Sequence, residues 1–538
     1  MTSPPTFDLI DQPWIRVRTL DGAVEERSLR ATLAGASGLR GLAGEIPTQD
    51  AAMLRLLLAV LLGATRPRYP RSENECLDLF EDWWACGTLP MDVLDVYLER
   101  VRDRFDLLHP QTPFFQVAGL TTSTGEHSGL AKLIADVPDG IPFFSTRAGR
   151  GVLTLRLAEA ARWLVHCQSF DPAGIKTGAL GDSRVKMGKG YSMWDPAWAG
   201  TLGLVIVEGS SLFETLLLNL PLMMTGPEDL PVWERPPLGP GIEVTHPVPT
   251  GPADAFTWPS RRLRIFGEND FVYDCQISNG DKLPPQDLHH VEPMSGWKVR
   301  KSGSRGDVAV MIPVRHAVDR RIWQGLESLL ELGSESGLKP ALAIEWLAML
   351  RNAGVVSPRR TLDVWTIGLQ YDSNRSKVEG AMEDRLLAPV AALTDAVLVQ
   401  AAVDAAAQAS RGVVELANLA GNLDRAAGGE SDARERTFGV GYALLDRPFR
   451  EWIRTLEDPA LVADYRGAWS DTAHVLLRTA GDDLVAEASP AALVGRRVKR
   501  VGSDKTELLD AGLAQLRFRS ALAKAFPQPK PHSDEGTR

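Results

Sequence analysis

Lys176, Arg184, Lys186 and Lys189 sit in the glycine-rich stretch DPAGIKTGALGDSRVKMGKG, from Asp171 to Gly190, of a 538-residue chain whose formal net charge is −10. Glycine admits positive φ and lets a backbone come close to a ligand, and neighbouring lysines neutralise phosphates. The chemistry on offer is anion binding by a local cationic loop on an acidic body. Nucleic acid or nucleotide phosphate is the first partner this predicts. One alternative is a soluble enzyme that cradles a nucleotide or sugar phosphate at this loop, which requires a general base or metal within reach.

Other chemistry is thinly represented. The histidines are scattered, and none pairs with another histidine or a cysteine at zinc-finger or HExxH spacing, so no metal and no cofactor is expected. His289 and His290 are adjacent and cannot share a helix face. There is no GxxxxGK[ST] phosphate loop and no GxSxG elbow. The four cysteines, Cys76, Cys86, Cys167 and Cys275, form no CxxC pair, and the start carries no signal-peptide pattern. The expected compartment is the reducing cytoplasm.

The elements that must carry these residues follow from composition and periodicity. With 44% hydrophobic and 24% charged residues the chain reads as globular, which excludes collagen-like, coiled-coil-only and largely disordered proteins. Its length predicts two or three domains. A strand is expected at Trp14 to Val17, with a turn at Asp21 and Gly22. The apolar run from Ala51 to Leu62 is too short to span a bilayer and predicts a buried helix, capped by Thr48 and ending near Gly63. Helical spacing recurs at Glu75 to Trp84, Met91 to Leu107 and Leu153 to Trp163. The nine prolines from Pro227 to Pro259 predict an irregular surface connector. Strands are expected at Arg262 to Phe266, Phe271 to Ile277 and Val308 to Val314. Beyond Val378 the spacing of Leu386, Val390, Leu393, Val397 and Ala401, then of Tyr442, Leu445, Phe449, Trp452 and Leu456, predicts helices. Two more are expected at Thr472 to Ala488 and Leu508 to Phe526. The fold class is therefore α+β: a mixed, mainly helical N-terminal domain with short β-sheets over residues 1–377, a C-terminal four-helix bundle over 378–527, and a disordered tail over 528–538.

Five features follow one another along the chain: FDLIDQPWIRV (Phe7 to Val17), GLAGEIPTQDAAMLRLLLAVL (Gly41 to Leu61), HPQTPFFQ (His109 to Gln116), TWPSRRLRI (Thr257 to Ile265) and the helical ending. In that order they resemble the CasA family, the large subunits of the type I-E CRISPR surveillance complex Cascade. The resemblance implies a protein that is not an enzyme. It implies recognition of a protospacer-adjacent motif in foreign double-stranded DNA, help in opening the duplex, and recruitment of a helicase-nuclease. The implied partners are target DNA, guide RNA, the small, backbone and 5′-end subunits of the complex and that helicase-nuclease, with no membrane.

Residue by residue, the resemblance places a DNA-binding glycine loop at Gly174, Lys176, Thr177 and Gly178, extended here through Lys189. A lysine finger falls on Lys282 in SNGDKLPP, with Lys298 as a competitor beside Arg300 and Lys301. A strand-parting wedge falls on Asn374, Arg375 and Ser376 in YDSNRSKVEG, where asparagine stands in place of the family's glutamine. A guide-RNA and backbone-subunit loop falls on Phe144, Ser145, Thr146 and Arg147 in IPFFSTRAGRG. The basic run Arg496, Arg497, Lys499 and Arg500 reads as a solvated loop or a guide for the displaced strand.

Overall fold

The computed structural model describes residues 6–68, 70, 72–122, 124–135, 153–190, 195–300, 309–330, 337–430, 432–499 and 506–527. These residues fall into two compact units, one of Met1–Arg320, Leu332–Val356 and Leu362–Arg385, the other of Arg321–Glu331, Ser357–Thr361 and Leu386–Arg538.

The first unit opens with β1 (Ile15–Thr19) and β2 (Val24–Arg27), antiparallel around a turn in which Gly22 takes φ +92°. Helix α1 (Leu29–Ala34) is capped by the Ser28 hydroxyl, which accepts the Ala31 N–H, and leads to β3 (Leu39–Leu42) on the free edge of β1. The long core helix α2 spans Pro47–Thr65, further at both ends than the apolar run suggested. Proline at its first position fits a helix start. Thr48 is not the cap; it is buried, with Oγ1 2.9 Å from His166 Nε2. Among the described residues α2 is the one helix long and apolar enough to cross a membrane, and 94% of its apolar window lies inside the protein. Arg55 within it is buried against Glu292 at 2.8 Å, and the Trp198 Nε1–H donates to the same carboxylate at 2.7 Å, so the buried charges answer one another.

Helices α3 (Glu73–Cys86) and α4 (Met91–Val101) follow, the second ending early because Arg102–Arg104 tightens into a 3-10 turn. Leu155 and Arg156 form a short strand, β4, so the expected helix begins later, as α5 (Leu157–Phe170), almost wholly buried. The expected flexible loop is instead a small antiparallel sheet of β5 (Lys176–Thr177), β6 (Val185–Lys186) and β7 (Lys189–Gly190) in the order β5-β7-β6. After β8 (Gly203–Glu208) and α6 (Leu212–Leu218), the proline-rich stretch is irregular, with residues 236–248 at the surface as expected but both ends packed inside. Trp233 and Trp258 are buried in it, as is the short α7 (Pro252–Phe256).

The hairpin of β9 (Arg261–Glu268) and β10 (Phe271–Asn279) carries β4 on its edge. Another sheet orders β12 (Val310–Pro313), β11 (Trp297–Arg300) and β13 (Leu338–Lys339). Beyond α8 (Leu326–Leu330), which belongs to the second unit, and α9 (Leu342–Asn352), a further sheet orders β15 (Val378–Pro389), β14 (Thr361–Tyr371) and β8. Helical character therefore starts after Pro389 rather than at Val378: Leu386 lies in a strand, held there by pairing with β14.

In the second unit α10 (Val390–Thr394) precedes the 32-residue α11 (Ala396–Ala427), whose start is capped by Asp395. Helices α12 (Ala433–Ile453), α13 (Val462–Ala486) and α15 (Ala511–Ala525) pack on α11, with α14 (Pro490–Val494) between. Phe449, Trp452 and Trp469 form the aromatic centre, Phe449 and Trp469 meeting at 5.1 Å and Trp452 and Trp469 at 5.5 Å. Leu508, expected in the last helix, lies in β17 (Thr506–Leu509), paired with β16 (Arg496–Lys499). Arg496, Arg497 and Lys499 are therefore strand residues rather than a loop, and Arg500 lies outside the described residues.

Candidate nucleic-acid interface

Three segments far apart in sequence meet in the first unit. The chain leaves α5 at Asp171, passes through the β5-β7-β6 sheet, and there meets the end of β10 and the turn between β14 and β15. Ser278 Oγ donates to the Thr177 carbonyl at 2.8 Å and Asn279 Nδ2 to the Gly190 carbonyl at 2.8 Å. The Ala173 N–H donates to the Arg375 carbonyl at 2.9 Å, and a Cβ on Gly174 would lie 3.9 Å from that of Ser376. The segments expected to hold the glycine loop, the lysine finger and the wedge thus meet in one contiguous patch.

Two neighbouring arginines hold it from below. Strand residues in succession point to opposite faces, so Arg261 and Arg262 at the start of β9 reach different loops. Arg261, fully buried, donates through Nε to the Asp171 carboxylate and through Nη2 to the Asp171 and Pro172 carbonyls, each at 2.9 Å. Arg262 Nη2 donates to both Asp281 oxygens at 2.9 Å, and the Trp258 indole N–H donates to the Asp281 carbonyl at 2.9 Å, fixing the residue next to Lys282.

Electrostatics correct the simple picture of a cationic loop. Lys176 is not free for phosphate: its Nζ lies 2.7 Å from Asp171 Oδ2 and its side chain is mostly buried. Burial alone would raise the Asp171 carboxyl, but Lys176 and Arg261 together hold it below the ordinary carboxylate range. Arg184 folds back on Asp182 at 2.8 Å and donates to the Gly280 and Asn279 carbonyls, so it ties the loop to the lysine turn. Lys186 and Lys189 are the exposed cations of the loop. Gly178 also serves packing rather than groove access: it is buried, and a Cβ there would fall 2.4 Å from Val185 Cγ1. Gly174 is the partly exposed glycine, at φ +132°, which only glycine adopts without strain.

Lys282 is 43% exposed on an irregular segment after β10, with Nζ 2.9 Å from Asp195 Oδ2. The other Asp195 oxygen takes the Arg375 guanidinium. One carboxylate therefore gathers the Lys282 and Arg375 cations, and nothing in the sequence singled it out. Arg375 stands at φ +54° in the β14–β15 turn, where Asn374 is exposed at the tip, so these are hairpin residues rather than the start of a helix. Asp372 staples the turn by accepting the Ser376 N–H at 2.6 Å and the Lys377 N–H at 3.0 Å. Chiefly that Lys377 bond keeps its carboxyl below the usual range. Lys298 is exposed on β11 and is not among these contacts; Lys301 lies outside the described residues, as do Phe144, Ser145, Thr146 and Arg147. Among the described residues no three of His, Cys, Asp and Glu are grouped to hold a metal ion.

Known proteins share this arrangement of chain. A family model described as CRISPR-associated protein Cse1 matches residues 8–480. The CRISPR-associated protein CasA/Cse1 of Thermus thermophilus is 32% identical over 338 residues, a match that spans 61% of this chain and 61% of that protein, less than two thirds of either. The crystal structure of Thermobifida fusca Cse1 has a TM-score of 0.88 at 37% identity, covering 98% of this chain and 99% of that one. A chain of a structure titled CRISPR RNA-guided surveillance complex shares the fold, with a TM-score of 0.65 at 20% identity over 96% of this chain and 100% of that one. With a family match over most of its length, the chain belongs to the CRISPR-associated Cse1 family.

Proposed function

We propose that this protein is the large subunit of a Cascade-type surveillance complex in the cytoplasm. It recognises a protospacer-adjacent motif in foreign duplex DNA, parts the strands beside it, and brings in the helicase-nuclease. Guide RNA and the small, backbone and 5′-end subunits are its partners, and covalent chemistry is left to others. The second unit, read as a four-helix bundle, supplies the surface for those partners. The observation that carries this reading is the convergence of glycine-loop, lysine and wedge residues on one patch, with Lys282 and Arg375 sharing Asp195.

The physics suits a duplex rather than a nucleotide. A patch built from backbone turns and two long cations can follow the degenerate minor groove and the phosphates beside it. Parting a base pair costs a few kcal/mol, which inserted side chains at a hairpin tip offset. Asn374 is the exposed amide at that tip, and the Arg375 guanidinium beside it can stack on an unpaired base. The nucleotide-phosphate enzyme is disfavoured, because the lysine it needs, Lys176, is already neutralised by Asp171.

The test is reconstitution of the complex with wild-type chain or with Asn374→Ala and Arg375→Ala together. Strand opening is read by permanganate reactivity of thymines next to the motif. The variant is expected to bind motif-bearing duplex but to lose at least tenfold in opening rate, about 1.4 kcal/mol in the barrier. Unchanged opening would overturn the assignment.

A further inference from the structure

The β6–β7 hairpin is the extension of the glycine loop through Lys189, beyond the four residues given a DNA-binding role in it, and three local costs coincide at its tip. Lys186 pairs directly with Lys189, leaving Met187 and Gly188 as a two-residue turn. Like charges opposite each other across a ribbon repel. Both turn residues have positive φ, Met187 at +52° and Gly188 at +75°, the geometry of primed turns, in which Asn-Gly or Gly-Gly is the usual pair and methionine is strained. Met187 is also 96% exposed, an apolar side chain held in water. Rules broken together at one point mark a functional site rather than a fold requirement.

The tip is rigidly joined to the glycine loop. β7 pairs with β5, Lys176 opposite Gly190 and Thr177 opposite Lys189, and the Gly178 N–H donates to the Gly188 carbonyl at 2.9 Å. Ile175 and Leu180 of the same stretch are more than half exposed, so Met187 is not the one apolar side chain this stretch holds in water. Lysines alone would fit phosphates, and an apolar tip alone would fit a protein groove. An unbranched apolar side chain flanked by two cations fits a base step between phosphates, as in minor-groove proteins that wedge methionine, leucine or phenylalanine into the stack.

We infer that the hairpin is a further DNA-binding site: Met187 inserts into a base step of the duplex while Lys186 and Lys189 neutralise the flanking phosphates. This rests on the duplex reading of the neighbouring patch.

The experiment uses the reconstituted complex and duplexes carrying 2-aminopurine at successive steps around the motif. Wild type is expected to raise 2-aminopurine fluorescence at one step through unstacking. Met187→Asn, which supplies an Asn-Gly turn and so preserves the hairpin, is expected to abolish the rise and weaken binding roughly fivefold to tenfold. Met187→Leu restores both. Lys186→Ala with Lys189→Ala lowers the salt slope of binding by roughly two. Unchanged fluorescence in Met187→Asn together with an unchanged slope in the double lysine variant overturns the proposal. So does failure of Met187→Asn to enter the complex, which would make the tip a protein contact. Lys282→Ala separates the two readings: if it weakens binding while the hairpin variants do not, only the hairpin site falls. If no variant has an effect, the duplex reading falls too.

Discussion

At the residue scale the central group is Asp195, which holds both Lys282 and Arg375. The pairing keeps two cations side by side and, on the proposed duplex reading, withholds them from DNA that offers no better ligand. Lys282→Ala is expected to weaken motif-bearing duplex roughly tenfold and lower the salt slope by about one. Asp195→Asn acts in the opposite sense on duplex without the motif. Its affinity rises several-fold, the slope steepens by one to two, and discrimination falls, because both cations are released. Filter-binding titrations over a range of salt measure all three, and equal slopes for Asp195→Asn and wild type would refute the role given to this carboxylate. Asp195 was not legible in the sequence because it lies in no motif and gains its meaning from residues far along the chain. Lys282, Asn374 and Arg375 were singled out only through the order of family segments, and the structure adds that two of them share Asp195. Charge counting misjudged Lys176 and Arg184, since the acids that consume them, Asp171 and Asp182, look like ordinary loop residues until the chain turns back.

At the element scale, α2 and α5 carry two titratable groups of opposite sign, Asp50 partly buried and His166 fully so. Burial pushes the Asp50 carboxyl up from 3.8 to about 6 and the His166 imidazole down from 6.5 to about 4. For His166 the unfolded chain takes a proton before the folded one does, so stability is lost as pH falls from 6.5 to about 4. For Asp50 the folded chain takes it first, so stability is gained as pH falls from about 6 to 3.8. Each is worth about 3 kcal/mol, since a tenfold change in proton affinity corresponds to about 1.4 kcal/mol, and the two nearly cancel. Asp50→Asn keeps an acceptor for the Gly44 N–H and should unmask a loss of about 3 kcal/mol on acidification. His166→Gln should unmask a gain of similar size. Thermal unfolding across this pH range tests the pair, and three parallel profiles would contradict it. Apolar periodicity found the core of α2, the positions of α3, β9 and β10, and the helices of the second unit. It missed several ends, because Pro47, the 3-10 turn after α4 and the strand preceding α5 answer to local stereochemistry and tertiary pairing rather than to pattern.

At the scale of the whole molecule, net charge −10 and loop cations half consumed internally give the isolated chain little electrostatic attraction for DNA. Purified alone it is expected to hold duplex DNA weakly and without sequence preference at physiological salt, whereas the assembled complex holds it tightly. Sequence-specific, tight binding by the isolated chain in a gel-shift titration would argue against a role that depends on assembly. Composition announced a globular chain of more than one compact unit, and the helical ending was visible in the spacing of Tyr442 to Leu456. The point where the units divide was not, since β15 continues the first unit past the residue where the composition changes. The adjacent arginines at the start of β9 carry one more implication. Because a single pair of consecutive side chains anchors two separate loops, inserting or deleting one residue in that strand would detach both at once. On the proposed duplex reading, attempts to retune target preference should therefore graft at the loop tips and leave the strand's register untouched.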